Sequence, residues 1–270
     1  MELGSTEVEG FRIGYARAGE GPPLLLLHGG WNDSREWRRQ LEDLSDEFTV
    51  VAFVSPGCGR PPDPPSVSSL AAYADTVAGL VRTLDLGRPH LLGLSFGGGL
   101  AIEVAHRHPT AIRSLVLASA YAGWAGSLPQ DVVEERVATI LAEADQPPEA
   151  WVPAHLSGAF AGPVAPATLA ELAEIMTDAR PAGVKPMATA FAEADLRGAL
   201  GSIAVPPLLL SGQRHDRAPP PVGQAINRGI PGSRLVILPG VGHLLNLEAT
   251  EAFNREVRQF LRTVPPNRVR

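Results

Sequence analysis

The 270-residue chain contains a single cysteine, Cys58, so it can form no intrachain disulfide, and a reducing cytoplasm is the expected setting. Its first residues, Met1 to Glu7, lack the basic head and apolar stretch of a secretory signal. No apolar run approaches the roughly 18 residues that span a bilayer, so no membrane span is expected. Positive charge is also short: 23 Lys and Arg against 29 Asp and Glu leave a net charge of −6. A nucleic-acid partner would need a clustered surplus of cations, and none is present. There is no repeat of fixed period, no charged tract and no Ser/Gly linker. His106 and His108 lie two apart in a predicted helix and face different ways, so they make no metal pair. No metal or cofactor is expected, and the partner should be a small-molecule substrate.

What the chain does have is core-forming capacity. Hydrophobic residues make up 44% and charged ones 19%, which argues for one large domain and against disorder. Leu24–Leu27, Phe48–Val54, Leu91–Leu94, Leu115–Leu117, Leu208–Leu210 and Leu235–Leu238 are unbroken apolar runs. Such runs suit parallel strands covered by helices on both faces. Phe11 to Ala16 alternates instead, as an antiparallel strand near a sheet edge would. Helices are predicted over 67–86, 96–107, 220–229 and 247–262. The last places Phe253, Val257, Phe260 and Leu261 on one face. The order is that of an α/β layer fold, with a mostly parallel twisted sheet flanked by helices.

From about Gly123 to Ala204 the rhythm stops. No strand signal appears, and Val132–Ala144, Pro166–Ala179 and Lys185–Asp195 read as three helices parted by Pro and Gly. The division expected is a core of residues 1–122 and 205–270, with 123–204 as an inserted helical cap.

Gly93-Leu94-Ser95-Phe96-Gly97 fits G-x-S-x-G between a predicted strand and a predicted helix. A serine on so sharp a turn is forced outward, and small residues two before and two after it let the turn close. The helix start adds free N–H groups and the positive end of its dipole. Ser95 is therefore the expected nucleophile.

A serine hydroxyl needs a base to remove its proton. Of the seven histidines, His243 alone sits in a Gly-rich loop (Pro239-Gly240-Val241-Gly242) after the last predicted strand and before the last helix. It is the expected base. Asp216, in the loop after Leu210, is the expected acid that fixes the tautomer of His243 and stabilises its imidazolium. The other strand end that could carry an acid, after Leu117, reads Ala118-Ser119-Ala120-Tyr121 and holds no carboxylate. His215 is expected to be a solvated neighbour of the acid, and His28 a structural residue that pins its loop. The tetrahedral oxyanion needs two donors; the N–H of Phe96 is one and that of Gly30 the other, with Trp31 as substitute.

These motifs together resemble the α/β-hydrolase family over almost the whole chain: His28-Gly29 after a strand, the Ser95 elbow, Asp216 in a Gly-led loop and Gly242-His243 near the end. The stretch from Ser119 to Pro129 is similar to the approach to the cap in small bacterial esterases, lactonases and carbon–carbon bond hydrolases of the family. A serine at the elbow sets the chain apart from haloalkane dehalogenases and epoxide hydrolases, which carry an Asp there. Two departures stand out. The loop that many relatives write Asp-x-Pro-Gly-His-Gly-x-Ser reads Val54-Ser55-Pro56-Gly57-Cys58-Gly59-Arg60-Pro61, with the turn glycines kept. Gly212 precedes Asp216 by four residues, where three is more usual.

The resemblance implies a serine hydrolase that cleaves an ester, lactone or thioester through an acyl enzyme. It also leaves open a natural-product cyclase or carbon–carbon bond hydrolase using the same triad, or a ligand-binding receptor with vestigial turnover. Trp31, Trp124, Trp151, Phe160 and Phe191, with Met176 and Met187, are the candidates to line an apolar pocket between cap and core.

Overall fold

The computed structural model describes residues 1–59, 69–215 and 217–265. Eight strands form one sheet: β1 (Glu2–Val8), β2 (Phe11–Ala18), β3 (Pro23–Leu27), β4 (Thr49–Phe53), β5 (His90–Leu94), β6 (Ser114–Ala118), β7 (Pro207–Gly212) and β8 (Arg234–Leu238). Their order is β1-β2-β4-β3-β5-β6-β7-β8, antiparallel for β1–β2 and β2–β4 and parallel thereafter.

The leucine-rich runs explain the layering. Side chains alternate across a strand, so Leu25, Leu27, Leu91, Leu115, Leu117 and Leu209 enter one apolar core. Leu24, Leu26, Leu92, Val116, Leu208 and Leu210 enter a second core on the opposite face. Burial on both faces is what the continuous apolar runs predict, and β3 to β7 obey it. The run Leu235–Leu238 does not. It forms β8 at the sheet edge, where Ile237 is 38% exposed, because among the described residues no further strand pairs with its outer side.

On the two faces lie α1 (Arg38–Asp43), α2 (Leu70–Thr83), α3 (Phe96–Arg107), α9 (Pro220–Gly229), α10 (Leu245–Glu248) and α11 (Thr250–Thr263). The predicted helix over 67–86 is shorter: Ser69 caps α2 by accepting from Ala72 N–H at 3.3 Å, and positions 67 and 68 lie outside the described residues. The predicted helix over 247–262 divides at Ala249 into α10 and α11.

Between β6 and β7 the chain makes only helices: α4 (Gln130–Ala144), α5 (Pro148–Ser157), α6 (Pro166–Thr177), α7 (Pro181–Glu193) and the short α8 (Arg197–Leu200). The sequence reading missed α5, since Pro147, Pro148 and Pro153 look like breakers. Pro148 occupies the first turn, where its missing N–H costs nothing, and Pro153 is accommodated inside. It missed β1 as well. A two-residue turn, Glu9-Gly10, with both φ positive joins β1 to β2, and Glu is a weak signal for a position that usually carries Asn or Asp.

Candidate active site

The elbow between β5 and α3 holds Ser95 at φ 54°, ψ −113°, a strained left-handed conformation for a non-glycine residue. Its neighbours must be glycines. A Cβ on Gly93 would strike the Gly97 carbonyl, and one on Gly97 would strike the carbonyls of Leu27 and His28. Ser95 N–H donates to Ala118 O at 2.9 Å, which ties the turn to β6. The strain is thus held from both neighbouring strands.

Opposite the elbow, the loop after β3 is fixed from below by groups that the motif search did not single out. Glu36 is buried and accepts from Gly29 N–H at 2.8 Å and from Asn32 Nδ2 at 2.7 Å. Burial pushes its carboxyl up to about 8, against the lowering effect of those two donors. His28 behaves as expected of a pin. Its Nε2 accepts from Ser55 N–H at 3.0 Å, which leaves the proton on Nδ1 facing Gly29 O at 2.7 Å. Trp31 takes a left-handed φ of 64° in the same loop. A cavity of about 110 Å³ separates this loop from the inserted helices, and Gly30, Ser95, Phe96 and His243 all line it. Gly30 and Phe96, the residues expected to supply the oxyanion donors, therefore border one cavity with Ser95 and His243.

His243 sits between β8 and α10, buried at 7% exposure. Its N–H donates to Ala159 O at 3.0 Å, and its carbonyl accepts from Ser119 Oγ at 2.8 Å, so the His243 loop is tied to the turn after α5 and to the end of β6. Glu248 adds a clamp, accepting from Gly242 N–H at 2.7 Å and from the amides of Ala161 and Gly162 at 3.0 Å.

Asp216, the expected acid, lies outside the described residues. Among those described, the partner of His243 Nδ1 is His215 Nε2, at 2.7 Å. This corrects the expectation of a solvated His215: the ring is 2% exposed, because the end of β7 turns it inward beneath the base. Its tautomer follows from its other contact. His215 Nδ1 accepts from Ala218 N–H at 2.8 Å, so the proton of neutral His215 sits on Nε2 and points at His243 Nδ1. His243 Nδ1 then accepts, and its own proton lies on Nε2. Burial pushes His215 down to about 3 and drives His243 well below the ordinary histidine range, so both rings are neutral.

The apolar candidates divide. Trp31, Trp124, Met176, Met187 and Phe191 line the cavity. Trp151 and Phe160 do not: Trp151 backs the cavity wall, its ring 4.2 Å from that of Trp31, and Phe160 packs into the neighbouring apolar cluster. The sequence reading missed two cations on this wall, Arg136 and Arg217. Neither belongs to a motif, and only the fold of α4 against the loop after β7 brings them together. Among the described residues, no group of three His, Cys, Asp or Glu side chains converges as a metal site would require. Among those residues, too, no helix is long and apolar enough to cross a membrane.

With this geometry in place, comparison with known proteins is direct. The sequence profile described as "Alpha/beta hydrolase family" matches residues 24–256. An esterase from Thermogutta terrifontis superposes with a TM-score of 0.86 at 27% identity, covering 98% of this chain and 99% of that one. An enol-lactonase from Burkholderia xenovorans LB400 gives 0.87 at 27% identity, covering 96% of this chain and all (100%) of the other. An uncharacterized protein of Mycobacterium tuberculosis H37Rv is 37% identical over 113 residues, 42% of this chain. The chain matches only 33% of the length of that mycobacterial relative. The chain belongs to the alpha/beta hydrolase family.

Proposed function

We propose that the protein is a serine hydrolase that cleaves a carboxylic ester, lactone or thioester, with 123–204 acting as a cap over the site. The observation that carries this reading is the strained Ser95 at a glycine-enforced elbow, in one cavity with His243 and the Gly30 and Phe96 amides. Ser95 attacks the carbonyl carbon as His243 takes its proton, and the oxyanion lies between the two amides. The carbonyl then re-forms, the leaving group departs with the proton from His243, and water releases the acyl enzyme by the same steps.

The base must hold its proton on Nδ1 so that Nε2 can accept from Ser95. That tautomer needs an acceptor at Nδ1. His215 offers a proton there instead, since its own Nδ1 is occupied by Ala218 N–H. We assign the acceptor role to the carboxylate of Asp216, the next residue in the same loop. The esterase and lactonase neighbours support ester and lactone cleavage as the reaction class.

Hydrolysis of p-nitrophenyl acetate and butyrate tests the proposal. Turnover that disappears in Ser95→Ala, with the circular dichroism spectrum retained, is the expected result. Undiminished turnover in that variant would refute it.

A further inference from the structure

We infer that Arg136 and Arg217 form a carboxylate-binding subsite in the Ser95 cavity, so that the preferred substrate is an ester or lactone bearing a free acid group. The anion site stands on its own geometry; only the word substrate rests on the hydrolase reading above.

Arg136 lies on α4 and Arg217 follows β7, and both residues line the same cavity as Ser95 and His243. They are mutually braced. Arg136 donates through one terminal nitrogen to Arg217 O at 2.8 Å and through the other to Tyr121 Oη at 3.2 Å. Tyr121 Oη donates in turn to Arg217 O at 2.7 Å. The Arg136 guanidinium also stands over the rings of Tyr121 and Trp124, 5.9 and 5.7 Å from their centroids. Arg217 donates to Nε2 of His155 at 3.0 Å and also to the His155 carbonyl. A guanidinium has five N–H donors, and each of these contacts leaves donors over.

Among the described residues no carboxylate forms an ion pair with either arginine. Glu143, also on α4, acts on Arg217 through space, and its buried Oε2, without a hydrogen-bond partner, lies 3.9 Å from His155 Nδ1. Burial and the neighbouring Arg136 both press against the charged form of Arg217. Among the described residues the two arginines meet one carboxylate, Glu143, beside this largely apolar cavity, and a buried guanidinium without an ion-pair partner costs free energy. A third donor waits nearby, since the buried Nε1–H of Trp124 has no partner. The spare donors of the planar guanidinium groups suit a carboxylate.

Calorimetric titration of the Ser95→Ala protein with monomethyl glutarate and with neutral dimethyl glutarate tests this. The anionic probe should bind at least about tenfold tighter, the scale of a charge-assisted hydrogen bond in a desolvated site. Arg136→Gln and Arg217→Gln should each reduce that preference, and Glu143→Gln should increase it. Equal affinity for the two probes, or no binding of monomethyl glutarate, would overturn the inference whether or not the enzyme cleaves esters. An intact anionic preference in a protein without esterase activity would count against the hydrolase reading and uphold the subsite.

Discussion

The two walls of the cavity are built differently. On the Ser95 wall the backbone does the work: glycines closed against carbonyls, a strained φ held by β6, and a loop fixed by buried Glu36 and His28. On the His243 wall side chains from distant segments meet, with His215, Arg217, His155 and Arg136 drawn from three separate elements. The first wall is specific to a reaction and tolerates almost no change in residue size. In the proposed reaction the second would tune the base and choose the substrate, through side chains replaceable in shape if not in charge.

The largest effect should come from the first wall. Ser95→Ala is expected to lower kcat by about 10⁶, the scale seen when a triad nucleophile is removed, with little change in Tm. A loss below about tenfold would place the nucleophile elsewhere.

The second wall separates its two candidates for orienting the base. Asp216→Asn should lower kcat by about 10⁴, because the amide presents the wrong hydrogen-bonding group to Nδ1. His215→Leu should cost less than about tenfold, since it removes a donor that favours the unproductive tautomer. The reverse ranking, read from initial rates, would transfer the orienting role to His215.

Glu36→Gln returns to the first wall. Its amide nitrogen would confront either Gly29 N–H or Asn32 Nδ2, leaving donor against donor in a buried site. A stability loss of about 1–3 kcal/mol is expected by urea unfolding. Displacement of the Gly30 amide should cut kcat by up to about 10²-fold. An unchanged kcat would show that this loop supplies no oxyanion donor.

The last effects are pH-dependent and fall on stability. His28, His90, His155, His215 and His243 are all held below the ordinary value of 6.5 by burial, His90, His155 and His215 to about 3. The unfolded chain therefore binds more protons than the folded one between about 6.5 and 3, and stability must fall as pH drops through that window. Each such proton contributes up to about 1.4 kcal/mol per pH unit. Glu36 works the other way, since its raised value lets the folded state hold a proton from 4.5 to about 8. Stability against urea should thus decline from pH 6.5 to 4.5; a flat profile would mean that these histidines stay solvated.

This contrast also explains what was legible in the chain. Leucine runs, the G-x-S-x-G elbow and Gly242-His243 are local signals, so the parallel sheet, the tight turn at Ser95 and a loop placing His243 on the same cavity could be read directly. The place of Gly30 and Phe96 on that cavity followed from backbone position alone. His215, Arg136, Arg217 and Glu36 were not legible, since each acquires its meaning from a partner 28 to 81 residues away or from burial beneath a loop. Trp151 was misplaced because aromatic identity says nothing about which side of a helix faces the cavity.

The central claim is that Ser95 is a nucleophile activated by His243. Labelling with a fluorophosphonate probe, mapped by tandem mass spectrometry, tests it most directly. One adduct on Ser95 that forms rapidly in the wild-type protein and is lost in His243→Ala is the predicted result. A protein that stays unlabelled, or carries its adduct on another residue, would contradict the account.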